Sequence, residues 1–299
     1  MLGMNKVRHN HRTVDGLDIH FRSAGSPDLP ALVLLHGTPS SSHMYRHVMS
    51  PLAGIAHVVA PDMPAFGFSA MPAKEEYDYT FENIAWTLGA LLDDLGLGSY
   101  YIYMHDWGTA VGYYLATRAP ERVRGLIVQN GSVHDEGMGP AWDTTKAFWA
   151  DPSEENRARL PEWMNFEGTR DTYLGGLPEE MASLAAPESW HLDWERLSRP
   201  GRIDIEFALF QDYAKHVARF PDIEAYHRKH QPSCLLLWGR HDPYFDVGEA
   251  MGYNRVLDHV ETHIYEGSHF LLETHAQECV ALVKDFIGNR EADFRGRAA

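Results

Sequence analysis

The segment Tyr100–Gly112, YYIYMHDWGTAVG, carries the clearest chemical signal in the sequence. An apolar run typical of a buried strand leads into HDWG and then directly into a helical pattern. A sharp strand–turn–helix connection of this kind presents a reactive side chain above the edge of a sheet, as in the G-x-S-x-G motif. Asp106 stands at the central position, so the sequence predicts a carboxylate nucleophile. The alternative reading of Asp106 is an ordinary helix N-cap.

The surroundings of Asp106 favour the nucleophile. The helix that follows would direct its N-terminal amides and positive dipole end toward the carboxylate and keep it ionised. No serine competes for the role, because the run from Gly67 to Ser69 lacks a second glycine at Met71 and the Gly267-Ser268 pair has the wrong spacing. A serine esterase is therefore not expected.

Two further polar residues follow apolar runs nearer the end of the chain. Asp242 comes shortly after CLLLW, and His269 comes shortly after the run that ends at Tyr265. The order nucleophile, acid, histidine is one that a strand–turn–helix nucleophile is known to use. Because the carboxyl ends of parallel strands share one edge of a sheet, the three side chains can converge there. The sequence predicts His269 as general base and Asp242 as the group that orients it.

The residues HGTP follow the apolar run ALVLL and supply a fourth element. We expect the backbone N–H of Thr38 to join that of Trp107 in an oxyanion hole beside Asp106. A simple turn is the alternative interpretation of HGTP taken alone.

Short apolar runs alternate with longer helical patterns, which predicts a parallel sheet covered on both faces. The predicted helices are Phe81–Leu95 (ending at Gly96), Gly108–Arg118 (ending before Pro120) and Gln277–Phe286. The predicted strands are Leu17–Phe21, Ala31–Leu35, His57–Ala60, Tyr100–Met104, Arg124–Gln129, Cys234–Trp238 and Val260–Tyr265.

This alternation stops between residues 134 and 231, where the chain is rich in Trp, Pro and acidic residues. The aromatic content is too high for a disordered linker. We predict a helical cap subdomain over 134–231, inserted between two strands of a catalytic core formed by 1–133 and 232–299. Most of the cap tryptophans are expected to pack in the cap's own core.

Composition narrows the possible partners. The formal charge of −16 argues against nucleic acid and anionic membranes, which attract clustered Lys and Arg. Cys234 and Cys279 are expected to be buried free thiols rather than a disulfide or a metal pair. The N-terminal segment has no apolar stretch typical of a secretory signal, and no apolar run is long enough for a membrane span. A cytoplasmic monomer or homodimer without metal is expected.

The segments HGTPSSSHMYRHV, APDMPAFGFS, HDWGTAVGYYLATRAPERVRGLIV, WGRHD and GSHF together resemble the haloalkane dehalogenase and epoxide hydrolase branch of the α/β-hydrolase superfamily. The resemblance implies an α/β-hydrolase fold with a helical cap inserted after the sixth strand, and no cofactor. It also implies a two-step reaction with a small apolar electrophile and water. The aspartate forms an ester with the substrate carbon, and a water activated by histidine then hydrolyses it.

The resemblance also helps to choose between a haloalkane dehalogenase and an epoxide hydrolase. Haloalkane dehalogenases commonly carry Asn at the position of Thr38 and use it with the Trp after the nucleophile to hold the halide; here only Trp107 is present. Many of them place the acid after an earlier strand, where this chain has Asn130. Asparagine cannot serve as that acid, which favours Asp242.

Epoxide hydrolases use two cap tyrosines to protonate the opening oxygen, and Tyr213 lies about 29 positions before Asp242, close to the spacing of one of them. Its helical context also permits a core role. No partner tyrosine is evident in the sequence. The predicted substrate contacts are Tyr213, Trp107, Trp149 and His105. The positions considered for the second donor are Thr145, Phe148 and Trp149, with Tyr173 as another possibility.

Three functions follow from the sequence, in order of preference. The first is hydrolysis of an epoxide to a diol, and the second is hydrolysis of the carbon–halogen bond of a haloalkane or haloacid. The third is a non-catalytic receptor that uses the pocket only to bind a ligand, which the complete set Asp106, Asp242 and His269 argues against.

Overall fold

An eight-stranded sheet runs through the computed structural model, which describes residues 6–161 and 163–298. The strand order is β1-β2-β4-β3-β5-β6-β7-β8, with β2 antiparallel to both of its neighbours, β1 and β4, and the remaining neighbours parallel. The strands are β1 Arg8–Val14, β2 Leu17–Ala24, β3 Ala31–Leu35, β4 His57–Pro61, β5 Tyr100–His105, β6 Val123–Gln129, β7 Cys234–Gly239 and β8 Val260–Tyr265.

The central strands are buried along their whole length, which explains their continuous apolar sequences. Every residue of β3, β5 and β7 is buried. A strand covered by helices on both faces has no solvent side, so apolar residues do not alternate with polar ones. All the strands predicted from the sequence are present, and their ends differ from the predictions by at most a few residues.

The first strand was missed because its sequence, RHNHRTV, is polar and mostly exposed. It lies at the edge of the sheet and pairs in register with β2 from Arg8 opposite Ser23 to Val14 opposite Leu17. Asp15 and Gly16 connect the two strands, and both have positive φ, +48° and +83°. Asp-Gly between two strands is a strong hairpin signal, so the turn could have revealed this strand.

The three helices predicted from the sequence are present at the predicted positions. The helix over Phe81–Asp94 begins after Thr80, whose side chain accepts a hydrogen bond from the Asn83 N–H. The last helix, Ala276–Ala298, is longer than predicted. The core helices are α1 Met49–Leu52, α2 Phe81–Asp94, α3 Trp107–Arg118, α11 Glu249–Val256 and α12 Ala276–Ala298. The helices between β6 and β7 are α4 Asp143–Ala150, α5 Glu154–Arg157, α6 Phe166–Leu174, α7 Glu179–Ala182, α8 Pro187–Leu197, α9 Arg202–Ala218 and α10 Phe220–His230.

We call α4 to α10 the cap helices. They follow the sixth strand, as predicted from the sequence, and separate it from β7, its neighbour in the sheet. The prediction of free buried thiols is also confirmed for Cys234 and Cys279. Within the described residues, no helix combines the length and apolarity that crossing a membrane requires.

Candidate active site

Asp106 occupies a tight turn between β5 and α3. Its φ of +49° and ψ of −121° lie in a region that residues with a side chain rarely adopt. Such strain persists only where the surrounding structure enforces it, and it is common at functional sites. The Asp106 side chain makes no capping hydrogen bond within α3, which argues against the N-cap interpretation.

Two glycines allow the backbone to crowd around this turn. A Cβ placed on Gly37 would lie 2.3 Å from both Cβ and Oδ1 of Asp106. A Cβ on Gly108 would lie 2.2 Å from the carbonyl oxygen of Leu35, because α3 starts against the end of β3. Only glycine permits either approach, which explains the glycines of HGTP and HDWG.

The loop after β3 directs a backbone donor at the carboxylate. The N–H of Thr38 donates to Oδ1 of Asp106 at 2.7 Å, and the backbone N–H of Trp107, like that of Thr38, lowers the pKa of this carboxyl. The buried His36 holds the loop, since its Nε2 accepts from Met63 N–H at 3.0 Å and its Nδ1 donates to the Gly37 carbonyl at 2.9 Å. The arrangement can stabilise negative charge on Oδ1.

The predicted base and acid lie on the other side of Asp106. His269 Nδ1 is 2.9 Å from Oδ2 of Asp242, and His269 Nε2 is 4.0 Å from Oδ2 of Asp106. The histidine side chain is 2% exposed and that of Asp242 is fully buried. Nδ1 therefore carries the proton that Asp242 accepts, and Nε2 is left free beside Asp106.

Asp242 is held by more donors than the histidine alone. Its Oδ2 also accepts from the Asn130 amide at 2.8 Å, and its Oδ1 accepts from the N–H groups of Tyr244 at 2.7 Å and Phe245 at 3.2 Å. Asn130 additionally bonds both the N–H and the carbonyl of Gly239. Asn130 cannot itself be the acid, but it holds Asp242 in place. The sequence analysis considered position 130 only as another place for the acid and did not predict this contact.

Burial is the largest influence on the pKa of Asp106. It raises the pKa of this carboxyl to about 6, while His269 and the N–H donors of Trp107 and Thr38 counteract the rise. The carboxylate is therefore weakly solvated and more basic than an exposed one, yet ionised at neutral pH. Both properties suit a nucleophile.

For His269, burial disfavours the charged imidazolium, but the charge and hydrogen bond of Asp242, with the charge of Asp106, outweigh it and raise the pKa. Loss of the Asp106 charge would remove one of these contributions. The protonation of His269 is thus coupled to the charge state of Asp106.

A mostly apolar cavity lies over Asp106, between the sheet edge and the cap helices. Trp107 and Trp163 meet there edge to face with ring centroids 6.2 Å apart. The cavity is lined by Thr38, Asp106, Trp107, Ala141, Trp142, Thr145, Pro161, Trp163, Thr172, Phe210, Tyr244, Phe245 and His269. Most cap members of this set were not singled out from the sequence, because a helical aromatic pattern does not reveal which face meets a cavity.

Three predicted substrate contacts do not line this cavity. His105 is fully buried behind the triad, with its Nε2 donating to the His269 carbonyl at 3.1 Å, so it supports the histidine backbone instead. The Trp149 indole donates to the Phe210 carbonyl at 3.2 Å and its ring packs on Tyr213. His105 and Trp149, predicted as substrate contacts, therefore lie outside the lining of this cavity.

Tyr213 lies in the layer directly behind the cavity wall. Its ring stacks on Trp142 and meets Phe81 edge to face. The side chain is fully buried, and its hydroxyl has no hydrogen-bond partner among the described residues. Burial raises its pKa, and the charges of Asp106 and Glu249 add to the rise.

The positions considered for a second donor separate in the structure. Thr145 lines the cavity, whereas Phe148 packs on Phe207. Tyr173 stacks on Phe270 and donates its hydroxyl proton to Asp193 at 2.5 Å, outside the cavity. Within the described part of the chain, no group of three or more His, Cys, Asp or Glu side chains is arranged to hold a metal ion.

Comparison with known proteins agrees with this architecture. The sequence profile of the alpha/beta hydrolase fold family matches residues 30–276. The uncharacterized hydrolase YNR064C of Saccharomyces cerevisiae is 32% identical over 93% of this chain and 95% of its own length. Epoxide hydrolase 3 of Mus musculus is 29% identical over 91% of this chain and 76% of its own length. The crystal structure of the haloalkane dehalogenase DbeA from Bradyrhizobium elkani covers 96% of this chain and 100% of that chain, with a TM-score of 0.70 and 27% identity.

The family match spans most of the chain and includes β3, the HGTP loop, the turn at Asp106, β7 with Asp242, and His269. The relatives include both epoxide hydrolases and haloalkane dehalogenases, which confirms the branch that the sequence motifs resemble. This chain belongs to the α/β-hydrolase fold family.

Proposed function

We propose that this protein hydrolyses a small apolar electrophile through an ester formed on Asp106. The observation that carries the proposal is the asymmetric setting of the carboxylate. Oδ1 accepts the Thr38 N–H at 2.7 Å, while Oδ2 lies in an apolar cavity 4.0 Å from the free nitrogen of His269. One oxygen is thus placed to carry charge and the other to attack.

In the first step, Oδ2 of Asp106 attacks the electrophilic carbon, and the bond from that carbon to its leaving atom breaks with its electron pair on the leaving atom. The carboxylate becomes an ester and loses its negative charge. This loss removes one influence that raises the pKa of His269, so the histidine becomes a more competent neutral base for the next step.

In the second step, a water attacks the carboxyl carbon of Asp106 and gives a proton to Nε2 of His269. Negative charge develops on Oδ1, where the N–H groups of Thr38 and Trp107 stabilise it. Collapse of this intermediate breaks the ester bond, and the proton held by His269 passes to the departing alkoxide. Asp242 keeps the imidazole oriented throughout.

We infer an epoxide as the substrate because opening its ring leaves an alkoxide that needs a proton donor. The Tyr213 hydroxyl is buried, unpartnered among the described residues and sensitive to the charge of Asp106. A buried hydroxyl without a partner calls for an explanation, and a substrate oxygen would supply one. Tyr244 lines the cavity with its ring against His269 and is a second phenol for this role. The likeness to mouse epoxide hydrolase 3 extends over most of the chain.

A carbon–halogen bond is the second candidate, and the indole pair favours it. Trp107 and Trp163 both line the cavity beside Asp106, and indole N–H groups can hold a leaving halide. The Trp142 indole N–H cannot hold a halide in this way, because it donates to the Tyr244 carbonyl at 2.6 Å. The residues proposed as the cap subdomain, 134–231, contribute Trp163 to this pair and Tyr213 to the epoxide alternative.

Single turnover in H₂¹⁸O with enzyme in excess tests the ester mechanism. Because water attacks the Asp106 carboxyl carbon, the label should enter the peptide that contains Asp106, and the first-turnover product should carry the unlabelled Oδ2. Label confined to the product would mean direct attack of water and would reject the proposal. Running many turnovers is the control, since the label then reaches the product as well.

A matched pair of variants tests the branch, with styrene oxide and 1-bromobutane as probes. For an epoxide hydrolase, Tyr213→Phe should slow alkylation by about 10²-fold, the scale of a positioned acid. Trp163→Phe should then have a much smaller effect. The opposite ranking, with halide release lost in Trp163→Phe, would favour dehalogenation and place Tyr213 in the core. Tyr244→Phe reports whether the second phenol takes part.

A further inference from the structure

Helix α9 carries an ion pair buried against the catalytic core. Arg202 and Glu206 lie one helical turn apart, with Nη1 and Oε2 2.6 Å apart, and their side chains are 2% and 0% exposed. A buried ion pair is costly to desolvate and is a weak source of stability, so its presence calls for another role.

The pair contacts the core at two loops beside Asp106. The hydroxyl of Thr38 donates to Oε1 of Glu206. Arg202 donates through Nε to the carbonyl of Ala65 at 2.9 Å, and its guanidinium lies 4.0 Å over the Phe66 ring. The same helix that carries Tyr213 is thus tied to the residue that donates to Asp106.

We infer that Glu206 is a positioning residue that holds Thr38 with its N–H directed at Oδ1 of Asp106 and its hydroxyl turned away from the substrate. The inference rests on the proposed ester mechanism. A hydroxyl has one proton to donate, and Thr38 gives it to the Glu206 carboxylate, so it cannot also donate to a leaving anion. The backbone N–H is what remains for catalysis.

Alkylation and hydrolysis should respond differently when Glu206 no longer positions Thr38. During alkylation the charge on Oδ1 of Asp106 falls, so a displaced Thr38 N–H costs little. During hydrolysis Oδ1 gains a full charge, and the N–H must then be in place. Removal of a whole oxyanion-hole donor slows catalysis by about 10²–10³-fold, so a misaligned one should cost about tenfold in hydrolysis.

The experiment measures both steps by rapid quench and intact mass, with styrene oxide and 1-bromobutane as separate probes. Thr38→Val replaces the hydroxyl with a methyl group and keeps the backbone N–H and both members of the ion pair. Hydrolysis should slow about tenfold with alkylation within about twofold, so that alkyl-enzyme accumulates. Thr38→Ser keeps a hydroxyl that can donate to Glu206, so its hydrolysis should slow less than that of Thr38→Val. Glu206→Gln should lie between the wild type and Thr38→Val, and the double variant Thr38→Val with Glu206→Gln should be no slower than Thr38→Val alone.

Lys74→Met is the matched control, because it removes another contact between the core and α9, the 2.6 Å bond from Nζ to the Asp204 carbonyl, without touching Thr38. It should leave the ratio of the two rates unchanged. Equal slowing of both steps in Thr38→Val, unchanged hydrolysis, or the same change in Lys74→Met would overturn the inference. Turnover of either probe by the wild type in H₂¹⁸O without label in the Asp106 peptide would instead reject the ester mechanism, and the inference with it.

Discussion

Replacing the predicted nucleophile should abolish activity and stabilise the fold. Asp106 is ionised at neutral pH although its side chain is only 7% exposed. Its pKa is raised from 3.8 to about 6, chiefly by burial. At about 1.4 kcal/mol for each pKa unit, the ionised carboxylate costs the folded state about 3 kcal/mol. Asp106→Asn keeps the shape of the side chain and removes this cost, as expected where activity requires a destabilised group.

The dependence on pH follows from the direction of this pKa change. Between about pH 4 and pH 6 the folded protein holds a proton on Asp106 that the unfolded chain has released, so wild-type stability falls as pH rises through this window. Above about pH 6 the full cost is present. The advantage of Asp106→Asn should therefore be largest at pH 7–8 and vanish near pH 4. For a chain of this length, about 3 kcal/mol corresponds to a rise in Tm of about 5 °C.

Urea unfolding and thermal melts of the two proteins from pH 4 to pH 8 measure this difference. Asp242→Asn is the control, because both oxygens of Asp242 accept hydrogen bonds and an amide would place a donor against one of these donors. That variant should lose stability throughout the range. If Asp106→Asn is less stable than the wild type at pH 7.5, or if its advantage does not change with pH, the assignment of a costly buried charge to Asp106 is wrong.

Two further predictions concern kinetics. His269→Gln should still form the ester but fail to hydrolyse it, so intact mass should show enzyme plus the alkyl group. Normal turnover of this variant would exclude His269 as the base. Asp242→Asn should slow hydrolysis less than loss of His269 does, because orientation is only part of the base's function. The rate of alkylation should fall about tenfold per pH unit below about pH 6, because Asp106 attacks only when ionised and its pKa is raised to that value; an alkylation rate that stays level down to pH 4.5 would contradict this.

The candidate triad was predictable because each of its members follows a strand that the sequence marks clearly. Asp106, Asp242 and His269 come just after apolar runs, and parallel strands bring their carboxyl ends to one edge. The turns that follow these strands bring His269 to 2.9 Å from Asp242 and 4.0 Å from Asp106. The oxyanion loop was predictable for the same reason, since HGTP directly follows β3.

The sequence by itself therefore determined seven of the eight described strands, the turn at Asp106 and the order of the candidate site residues, since each is marked by residues close together in the chain. The cap contacts depend on packing between distant segments, and only the tertiary structure decided them. Nothing local shows that Thr38 bonds to Glu206, 168 positions away, or that Asn130 bonds to Asp242. Cap helices carry aromatic residues on more than one face, and helical periodicity does not show which face meets the cavity. For that reason the sequence singled out Trp149, which packs behind the cavity lining, and not Trp163, which lines the cavity.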